Sequence, residues 1–552
     1  EQADRGSDTL LLKNTSQPRL GFRVNKIYID SYYMDPQTKK YPEANRELMK
    51  QFNEGMLVFN YIGHNDPEVG FTGEGLFSRY EMEHLTNTRL PLFITITCDY
   101  CQFDAEDVSA GENVFLNPSA GAIALITTTR VVYTDGNDKI NQRLMKRLLE
   151  RDSNGSPLRI GDVLKLAKRD FNTEIDKNKL NYVLIGDPAL KLAYPEHSIQ
   201  VTRINGNSGE KNIEMIPGKN YTVEGEIRSH QNELLSDFNG YIYYNLYDKE
   251  KQFTTLAHQD KKTWTYTHRP DLLTTGKGTI QNGIFRITVA LPIDNSHSGK
   301  SGLLNLYAYD ESGREANGYT DKLIVSTAVE PITEDIQGPD IEFAGINDDS
   351  FTEGILVNNP ATFVCKFSDP SGIWNGNSLG KQMTLSLDGA CIEENVARYY
   401  KPIAESEIPE GEFIYPLPRL SNGLHTLTFK VFDTLGNSSE VTIAFEVKEN
   451  SETYTISLEE EPATERATIS CQDQNGNDVT ESKHTRISVT NTLGEEIWSY
   501  ETTENNPFPL TWNLQDNNGK RVSAGQYYCK GYFETSAGTI VTPAKKIVVI
   551  TQ

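Results

Sequence analysis

Three short apolar runs stand out in the first part of the chain, at residues 56–61, 91–97 and 121–127. Each is rich in β-branched and aromatic residues, and each ends in a polar cluster. Near-continuous apolar strands of this length are typical of a sheet that is covered on both faces. We therefore predict that these runs are neighbouring, mostly parallel strands of one buried sheet.

Amphipathic helices are predicted between these strands. Ala44, Leu48 and Phe52 recur at helical spacing, and Gly55 follows them as a stop signal. The predicted helices are 43–52, 140–150 and 160–171. A further strand is predicted at 23–30, and a short strand with a Gly-Asp-Pro turn at 181–190. This alternation of strands and helices indicates βαβ crossovers and an α/β fold for residues 1–195.

Beyond residue 195 the hydrophobic period changes from helical to strand-like. Runs such as 240–248 and 303–310 alternate apolar and polar residues and are separated by turn residues. This pattern predicts an all-β architecture. The chain is thus expected to be a multidomain α/β plus all-β protein. The predicted segments are an α/β domain at 1–195, a β-sandwich at 196–335, a second β-sandwich at 336–450 and a third β unit at 451–552.

The net charge of the chain and the length of its apolar runs limit the classes of function that are expected. The 552 residues carry a formal net charge of -24, which argues against nucleic-acid binding because that function needs a basic surface. No apolar run approaches the roughly 18 residues of a membrane span. The first ten residues lack a signal-peptide layout and look like the inside of a domain, so we expect an N-terminal truncation.

Cysteine and acidic residues leave several alternatives open. The pair Cys98-x-x-Cys101 resembles a redox or half-zinc motif, but no second pair completes a metal site, so we expect no metal or cofactor. Asp and Asn cluster at 135–138, 347–350 and 515–519, which indicates turn chemistry, with structural calcium as the alternative. The pairings that could form disulfides in the later domains are Cys365–Cys391 and Cys471–Cys529.

Two groups suited to nucleophilic chemistry follow the first two apolar runs. His64 follows the first and Cys98 the second, so parallel pairing would bring both to the carboxyl edge of the sheet, where such sheets bind ligands. A thiol attacks a carbonyl as thiolate, and imidazole is its usual base. The backbone N–H groups of Asn65 and Cys98 are candidates for an oxyanion hole. A helix directly after Cys98 would add a dipole that favours thiolate. The alternative is an inert buried cysteine and a loop histidine.

Particular motifs resemble those of gingipain-type cysteine peptidases. Residues 60–66 (NYIGHND) resemble the N-Y-x-G-H-G segment of that family, residues 90–104 its nucleophile strand, and residues 183–192 its Gly-Asp-Pro close. The resemblance implies a caspase-like domain with Cys98 as nucleophile and His64 as base. The family has Gly where this chain has Asn65. The acid that orients the histidine is expected upstream of this chain; Asp30 and Asp66 are alternatives.

Within that family, residues 97–104 and 126–133 are most similar to the sortase-like branch of the bacterial type IX secretion system. Residues 512–527 resemble the immunoglobulin-like C-terminal module of that system. The resemblance implies an enzyme at the bacterial cell surface, associated with the outer membrane. It would cleave C-terminal sorting domains from cargo and link the cargo to anionic lipopolysaccharide through a cysteine thioester. The implied protein partners are this cargo, the outer-membrane shuttle PorV and the attachment-complex subunits.

Other residues near the predicted edge have two interpretations each. Phe71 is a pocket wall or a core residue. Thr128, Thr129 and Arg130 follow the third apolar run and are candidates for lining the substrate cleft, with Arg130 facing a substrate carboxylate or simply solvated. Cys101 is a resolving thiol or a bystander. The alternative function is a catalytically inactive caspase-like scaffold or adhesin whose β modules bind partners or glycans.

Overall fold

The computed structural model describes most of the chain. It describes residues 1–550 except 14, 16–18, 66–69, 72–75, 171–176, 259–261, 294–298, 327–334, 348–350, 352–355, 377–379, 394, 404–407, 448–453, 460–461, 474–476, 480–481, 493, 504–506 and 536–537. None of the helices in these described ranges combines the length and apolar composition that crossing a bilayer requires. The first two predicted segments pack into one compact unit and the last two mostly into a second.

The first segment contains a four-stranded sheet and the helices that cover it. The helices are α1 (Gln2–Leu10), α2 (Pro42–Glu54), α3 (Arg79–Glu83), α4 (Ala110–Phe115), α5 (Thr134–Leu148), α6 (Ile160–Arg169) and α7 (Lys177–Asn181), with a 3-10 turn at Ile29–Ser31. The strands are β1 (Val58–Ile62), β2 (Gly70–Phe71), β3 (Phe77–Ser78), β4 (Leu92–Ile96), β5 (Ala124–Thr128) and β6 (Tyr182–Ile185). The sheet order is β1-β4-β5-β6, and β2 pairs with β3.

The register of this sheet confirms the mostly parallel arrangement. Strand β1 runs parallel to β4, with Val58 opposite Leu92 and Ile62 opposite Ile96. Strand β4 is parallel to β5, whereas β6 runs antiparallel to β5. The carboxyl ends of the three predicted strands therefore meet at one edge of the sheet.

Both faces of the sheet are buried, which explains the near-continuous apolar runs. All five residues of β4 and of β5 are buried. The predicted stripe of α2, with Ala44, Leu48 and Phe52, packs in one core together with Phe93. Helices α5 and α6 cover the opposite face, where Ile140 and other apolar residues pack in a second core.

Two predictions for this segment are wrong in detail. Residues 23–28 form no strand, and a 3-10 turn follows them. Ile27 and Ile29 pack against the core of the first segment, whereas Tyr28 contacts the second segment, with its ring centroid 4.4 Å from that of Tyr266. The Leu256 N–H also donates to the Asp30 carbonyl at 2.7 Å. Helix α5 begins at Thr134, so the predicted turn at 135–138 is its first turn.

In the second segment, seven strands pair in a closed ring to form one continuous sheet. Its strands are β7 (His197–Ile204), β8 (Asn207–Ser208), β9 (Ile213–Met215), β10 (Asn220–Arg228), β11 (Gly240–Tyr247), β12 (Lys251–Thr254), β13 (Thr265–His268), β14 (Leu272–Gln281), β15 (Ile284–Ala290), β16 (Leu303–Asp310), β17 (Glu315–Thr320) and β18 (Leu323–Val325). The order is β10-β15-β14-β11-β16-β17-β7-β8, and β7 also pairs with β10. This closure differs from the predicted sandwich of two separate sheets, because β7 bonds strands on both of its sides.

The third segment is a two-sheet sandwich, as predicted. Its strands are β19 (Asp340–Ile346), β20 (Leu356–Val357), β21 (Thr362–Ser368), β22 (Thr384–Leu387), β23 (Ala390–Glu393), β24 (Tyr400–Pro402), β25 (Glu410–Pro416), β26 (Gly423–Phe432) and β27 (Ser438–Val447). The sheets β19-β21-β25-β24 and β20-β27-β26-β22-β23 enclose one core that contains Phe363, Phe413 and Phe429.

The last segment also has two sheets over one core. Its strands are β28 (Thr455–Leu458), β29 (Ala467–Gln472), β30 (His484–Thr490), β31 (Glu496–Thr502), β32 (Leu510–Trp512), β33 (Gly525–Thr535), β34 (Gly538–Val541) and β35 (Lys545–Val549). One sheet is β28-β29-β32, and the other is β31-β30-β33-β34 with β35 on β33. The Asp516 carboxylate accepts the N–H groups of Asn518 and Lys520, each at 2.9 Å, so this loop follows the turn interpretation.

The proposed disulfides do not form in either later segment. All six cysteines are free thiols. Cys365 is buried in the sandwich core, whereas Cys391 is exposed, so the two side chains occupy different environments. Burial raises the pKa of Cys471 and that of Cys529 to about 12 each, which keeps both as neutral thiols.

Phe93→Ala is expected to destabilise the first unit by about 3–5 kcal/mol, because it leaves a cavity in a closely packed core. Phe93 is fully buried, and its ring centroid lies 4.9 Å from that of Phe59 and 5.6 Å from that of Phe52. Urea unfolding of the two chains measures the loss. Phe103 is 56% exposed, so Phe103→Ala is the matched control and should leave the unfolding midpoint unchanged.

Candidate active site

The register of β1 and β4 brings His64 and Cys98 to equivalent positions. Each residue comes two positions after one member of the Ile62–Ile96 pair. The Gly63 N–H donates to the Ile96 carbonyl at 3.4 Å, so the ladder continues past the strand ends. His64 is exposed, and Cys98 is half-buried against the core under α5. Both residues therefore lie at the same sheet edge, as their positions in the sequence predicted.

The Cys98 sulfur is held by the chain segment that leads into α5. The Val132 N–H donates to Sγ at 3.5 Å, and the thiol donates to the Val132 carbonyl at 3.4 Å. Val132 comes two residues before Thr134, the first residue of α5. The amino-terminal end of α5, where the helix dipole is positive, therefore lies near the sulfur.

The dipole comes from a different helix than the sequence predicted. No helix follows Cys98 directly; residues 97–109 contain bends and turns, and α4 begins at Ala110. The chain turns at once because Asp99 has a left-handed φ of 47°, a conformation that Asp tolerates better than most residues. Burial raises the pKa of the Asp99 carboxyl, although nearby Arg130 acts to lower it. Sequence reasoning missed Asp99, whose only signal is its place directly after the predicted nucleophile.

Asn65 links the histidine loop to the cysteine loop. Its side-chain amide donates to the Cys98 carbonyl at 3.1 Å, and the Tyr61 hydroxyl donates to the His64 carbonyl at 2.8 Å. The side chain that replaces the family glycine is thus bonded to the neighbouring loop. Among the described residues, the backbone N–H groups of Asn65 and Cys98 have no hydrogen-bond acceptor. Free N–H groups are what an oxyanion hole needs, and this assignment stays a prediction.

The three residues after the third apolar run have different environments. Thr128 is fully buried and donates its hydroxyl to the Thr97 carbonyl at 2.5 Å, so the prediction that it lines a cleft is wrong. Thr129 is half-buried. Arg130 is exposed and forms a forked ion pair with Asp104 at 3.0 and 2.6 Å. Any substrate carboxylate would have to compete with Asp104 for this guanidinium.

The remaining candidates separate into inert and untested residues. Cys101 is buried, and burial raises its pKa to about 11, which favours the bystander interpretation. The Asp30 carboxylate accepts hydrogen bonds from the N–H groups of Ala257 and His258, at 2.8 and 2.7 Å. Asp30 is therefore bonded to the second segment. Phe71 lies in β2, and its side chain is outside the described residues, as is Asp66.

An apolar rim borders the thiol, and sequence reasoning did not identify it. Val131 is 53% exposed, Tyr133 62% and Leu180 64%, although all three are large apolar or aromatic side chains. Asn178 fixes the backbone here: its amide donates to the Tyr133 carbonyl at 2.6 Å and its oxygen accepts the Tyr133 N–H at 3.0 Å. Exposed apolar groups on a rigid backbone are suited to contact an apolar substrate side chain.

Comparison with known proteins identifies this part of the chain. Residues 3–193 match the model of peptidase family C25. Residues 3–193 are therefore similar to gingipain-type peptidases. This match covers the gingipain-like sheet, His64 and Cys98, and it confirms the resemblance that the sequence motifs carried. None of the curated proteins compared with the chain matches it.

Solved structures give weaker likenesses. Dimeric latent PorU from Porphyromonas gingivalis is 24% identical over 79% of this chain and 41% of its own, with a TM-score of 0.34. The Arg-specific gingipain R (RgpB) is 18% identical over 53% of this chain and 57% of its own, with a TM-score of 0.26. The immunoglobulin module pair of Drosophila DLAR is 11% identical over 38% of this chain and 98% of its own, with a TM-score of 0.22. The chain thus spans about half the length of the first two, and its likeness to peptidase family C25 rests on residues 3–193.

Iodoacetamide at neutral pH is expected to label Cys98 well before Cys101. Cys98 is half-buried and lies at the sheet edge, whereas Cys101 is buried, and burial raises its pKa to about 11. Alkylation requires both access and thiolate. Mass spectrometry of the tryptic peptide that contains both residues gives the order, and first labelling of Cys101 would contradict the assignment.

Proposed function

We propose that the chain is a cysteine endopeptidase with Cys98 as nucleophile and His64 as general base. The observation that carries this proposal is the Ile62–Ile96 register, which brings both residues to one edge of the sheet in the segment that matches peptidase family C25. His64 takes the thiol proton as sulfur attacks the scissile carbonyl, and it then delivers that proton to the leaving amine. The Asn65 and Cys98 N–H groups stabilise the tetrahedral oxyanion.

The acyl-thioester that this step leaves can pass to water or to an amine. Transfer to an amine re-forms the thiol and makes a new amide, which is transpeptidation. We assign the chain this sortase reaction on type IX secretion cargo: it removes the C-terminal sorting domain and joins the cargo to anionic lipopolysaccharide. The motif likeness at residues 97–104 and 126–133 supports this assignment. The location would be the bacterial surface, with PorV and attachment-complex subunits as partners at the outer membrane.

A cargo reporter that ends in a sorting domain tests both parts of the proposal. The purified chain should release the sorting domain, and added glycinamide should appear at the new C-terminus by mass spectrometry. An intact reporter would reject the peptidase. A cleaved reporter with only a free carboxylate, even at high amine concentration, would reject the transfer step and leave the hydrolase.

Substrates with an apolar side chain next to the scissile bond are expected to be preferred, because Val131, Tyr133 and Leu180 form an exposed apolar rim beside Val132. Tyr133→Ser should lower kcat/KM for such peptides by about tenfold and leave charged peptides little changed. Tyr80 is 68% exposed on α3, so Tyr80→Ser is the matched control. Equal losses for apolar and charged peptides would contradict a role in specificity.

One observation favours the alternative, an inactive scaffold or adhesin. The thiol donates to the Val132 carbonyl at 3.4 Å, and among the described residues no hydrogen bond joins it to His64. Titration with a peptidyl acyloxymethyl ketone separates the two functions. Stoichiometric labelling of Cys98 at neutral pH supports the peptidase, whereas no labelling at millimolar reagent supports the scaffold.

A further inference from the structure

A polar cavity lies between the first segment and the closed sheet of the second segment. It has a volume of about 460 Å³, and its lining includes Arg19, Arg151 and Tyr194 on one side and His197 and His230 on the other. This volume is within the usual range for small-molecule sites, which is about 300–1,000 Å³. None of its lining residues belongs to the Cys98 edge, so it is separate from the candidate active site.

Two guanidinium groups face this cavity without a carboxylate partner. Neither Arg19 nor Arg151 forms an ion pair within the described part of the chain. Among the described residues, the Arg19 guanidinium has only long bonds, to the Leu10 and Lys146 carbonyls at 3.3 and 3.4 Å. Arg151 donates to the Gly155 carbonyl at 2.9 Å and to the Pro195 carbonyl, and it packs 4.9 Å above the Tyr194 ring. Since each guanidinium has five N–H donors, both retain donors for a ligand.

The neighbouring acidic groups form no ion pair with either guanidinium in the part of the chain that the structure describes. The Glu150 carboxylate is bound to Arg147 at 2.8 and 3.1 Å. Glu196 also lines the cavity, but this residue is exposed to solvent. Burial lowers the pKa of Arg19, the charges of Glu150 and Tyr194 act to raise it, and the like charge of Arg151 acts to lower it. Partly buried cations are normally paired, and in a chain of net charge -24 two unpaired arginines at one cavity indicate an anionic ligand.

A histidine at the same cavity adds a second requirement for the ligand. The Nδ1 atom of His197 is buried and has no hydrogen-bond partner in the structure. Burial lowers the pKa of this imidazole, so the neutral ring with one acceptor nitrogen is favoured. A ligand hydroxyl would satisfy that nitrogen. We propose that this cavity binds a small ligand that carries a carboxylate or phosphate, held by Arg19 and Arg151, together with a hydroxyl group near His197.

Isothermal titration calorimetry of the whole chain at constant ionic strength tests this site. The probes are glucuronate and glucose 6-phosphate, which have an oxyanion and hydroxyls, acetate, which has only the carboxylate, and glucose, which has no charge. At least one of the first two should bind with a millimolar or lower Kd and at least about tenfold more tightly than acetate and glucose. The tighter of the two identifies the oxyanion. Absence of binding by both, or equal binding of glucose, would overturn the proposal.

Variants then locate the binding. Arg19→Gln should weaken it by at least about tenfold, and Arg19→Lys should retain part of the affinity because it keeps the charge. Arg286 is the matched control, since its side chain is 73% exposed and it does not line the cavity; Arg286→Gln should bind like the parent chain. Unchanged affinity in Arg19→Gln, with an unchanged melting temperature, would exclude this cavity. Cys98→Ala should bind normally, so this test is independent of the peptidase proposal.

Discussion

Cys98→Ala is expected to reduce peptide cleavage by roughly 10⁴–10⁶-fold, which is the usual cost of removing a covalent nucleophile. The variant has no sulfur with which to form an acyl-thioester, so hydrolysis and transfer to an amine should fall together. Its fold should persist, because Cys98 is only half-buried. In the described part of the chain, the thiol forms hydrogen bonds only with the backbone of Val132. Initial rates on a fluorogenic peptide measure the loss.

Cys101→Ala is the matched control for this substitution. It removes the same atom three positions along the chain, from a buried thiol whose pKa is about 11. Its cleavage rate should stay within about threefold of the parent rate, although its unfolding midpoint can fall. If Cys101→Ala lost activity and Cys98→Ala retained it, the assignment of the nucleophile would be wrong.

His64→Ala is expected to lower kcat by about 10²–10⁴-fold, the usual contribution of a general base. The effect should lie mainly in kcat, because proton transfer and not peptide binding is lost. Alkylation of Cys98 at neutral pH should slow as well, since the imidazole assists formation of the thiolate. Stopped-flow alkylation and steady-state kinetics on the same preparation measure both quantities.

His84 provides the matched control for the histidine. It is exposed, lies at the end of α3, and has its Nδ1 2.8 Å from the Tyr80 carbonyl. His84→Ala should therefore leave kcat and the alkylation rate unchanged. A His64→Ala chain with normal kcat would remove the imidazole from the mechanism and leave the sulfur without a base.

The residues at the sheet edge could be predicted from the sequence, because the hydrophobic period of each strand and the position at which it ends are local properties. The runs that contain Ile62 and Ile96 have the length and composition of buried parallel strands, and a residue two places after each must reach the same edge. The stripe of α2 was predictable for the same reason. The family resemblance rested on motifs at these edges, and the match to peptidase family C25 confirms it for residues 3–193.

Features that depend on distant chain segments could not be predicted in this way. Residues 23–28 have a strand-like pattern but form no strand, and Tyr28 packs instead on Tyr266 of the second segment. The dipole near Cys98 comes from α5, which follows a different strand. The burial of Thr128 depends on its bond to the Thr97 carbonyl across the sheet. Each of these outcomes is set by tertiary packing that a linear pattern does not contain.

The two bonds between Asn178 and the backbone of Tyr133 have a consequence for how this enzyme type can diversify. They hold the main chain around the sulfur while involving none of the atoms of the Val131 or Tyr133 side chains. New side chains at those two positions could therefore alter which peptides are accepted without moving the reactive atom. Selection could change substrate range and preserve turnover, because separate atoms of one short loop control the two properties.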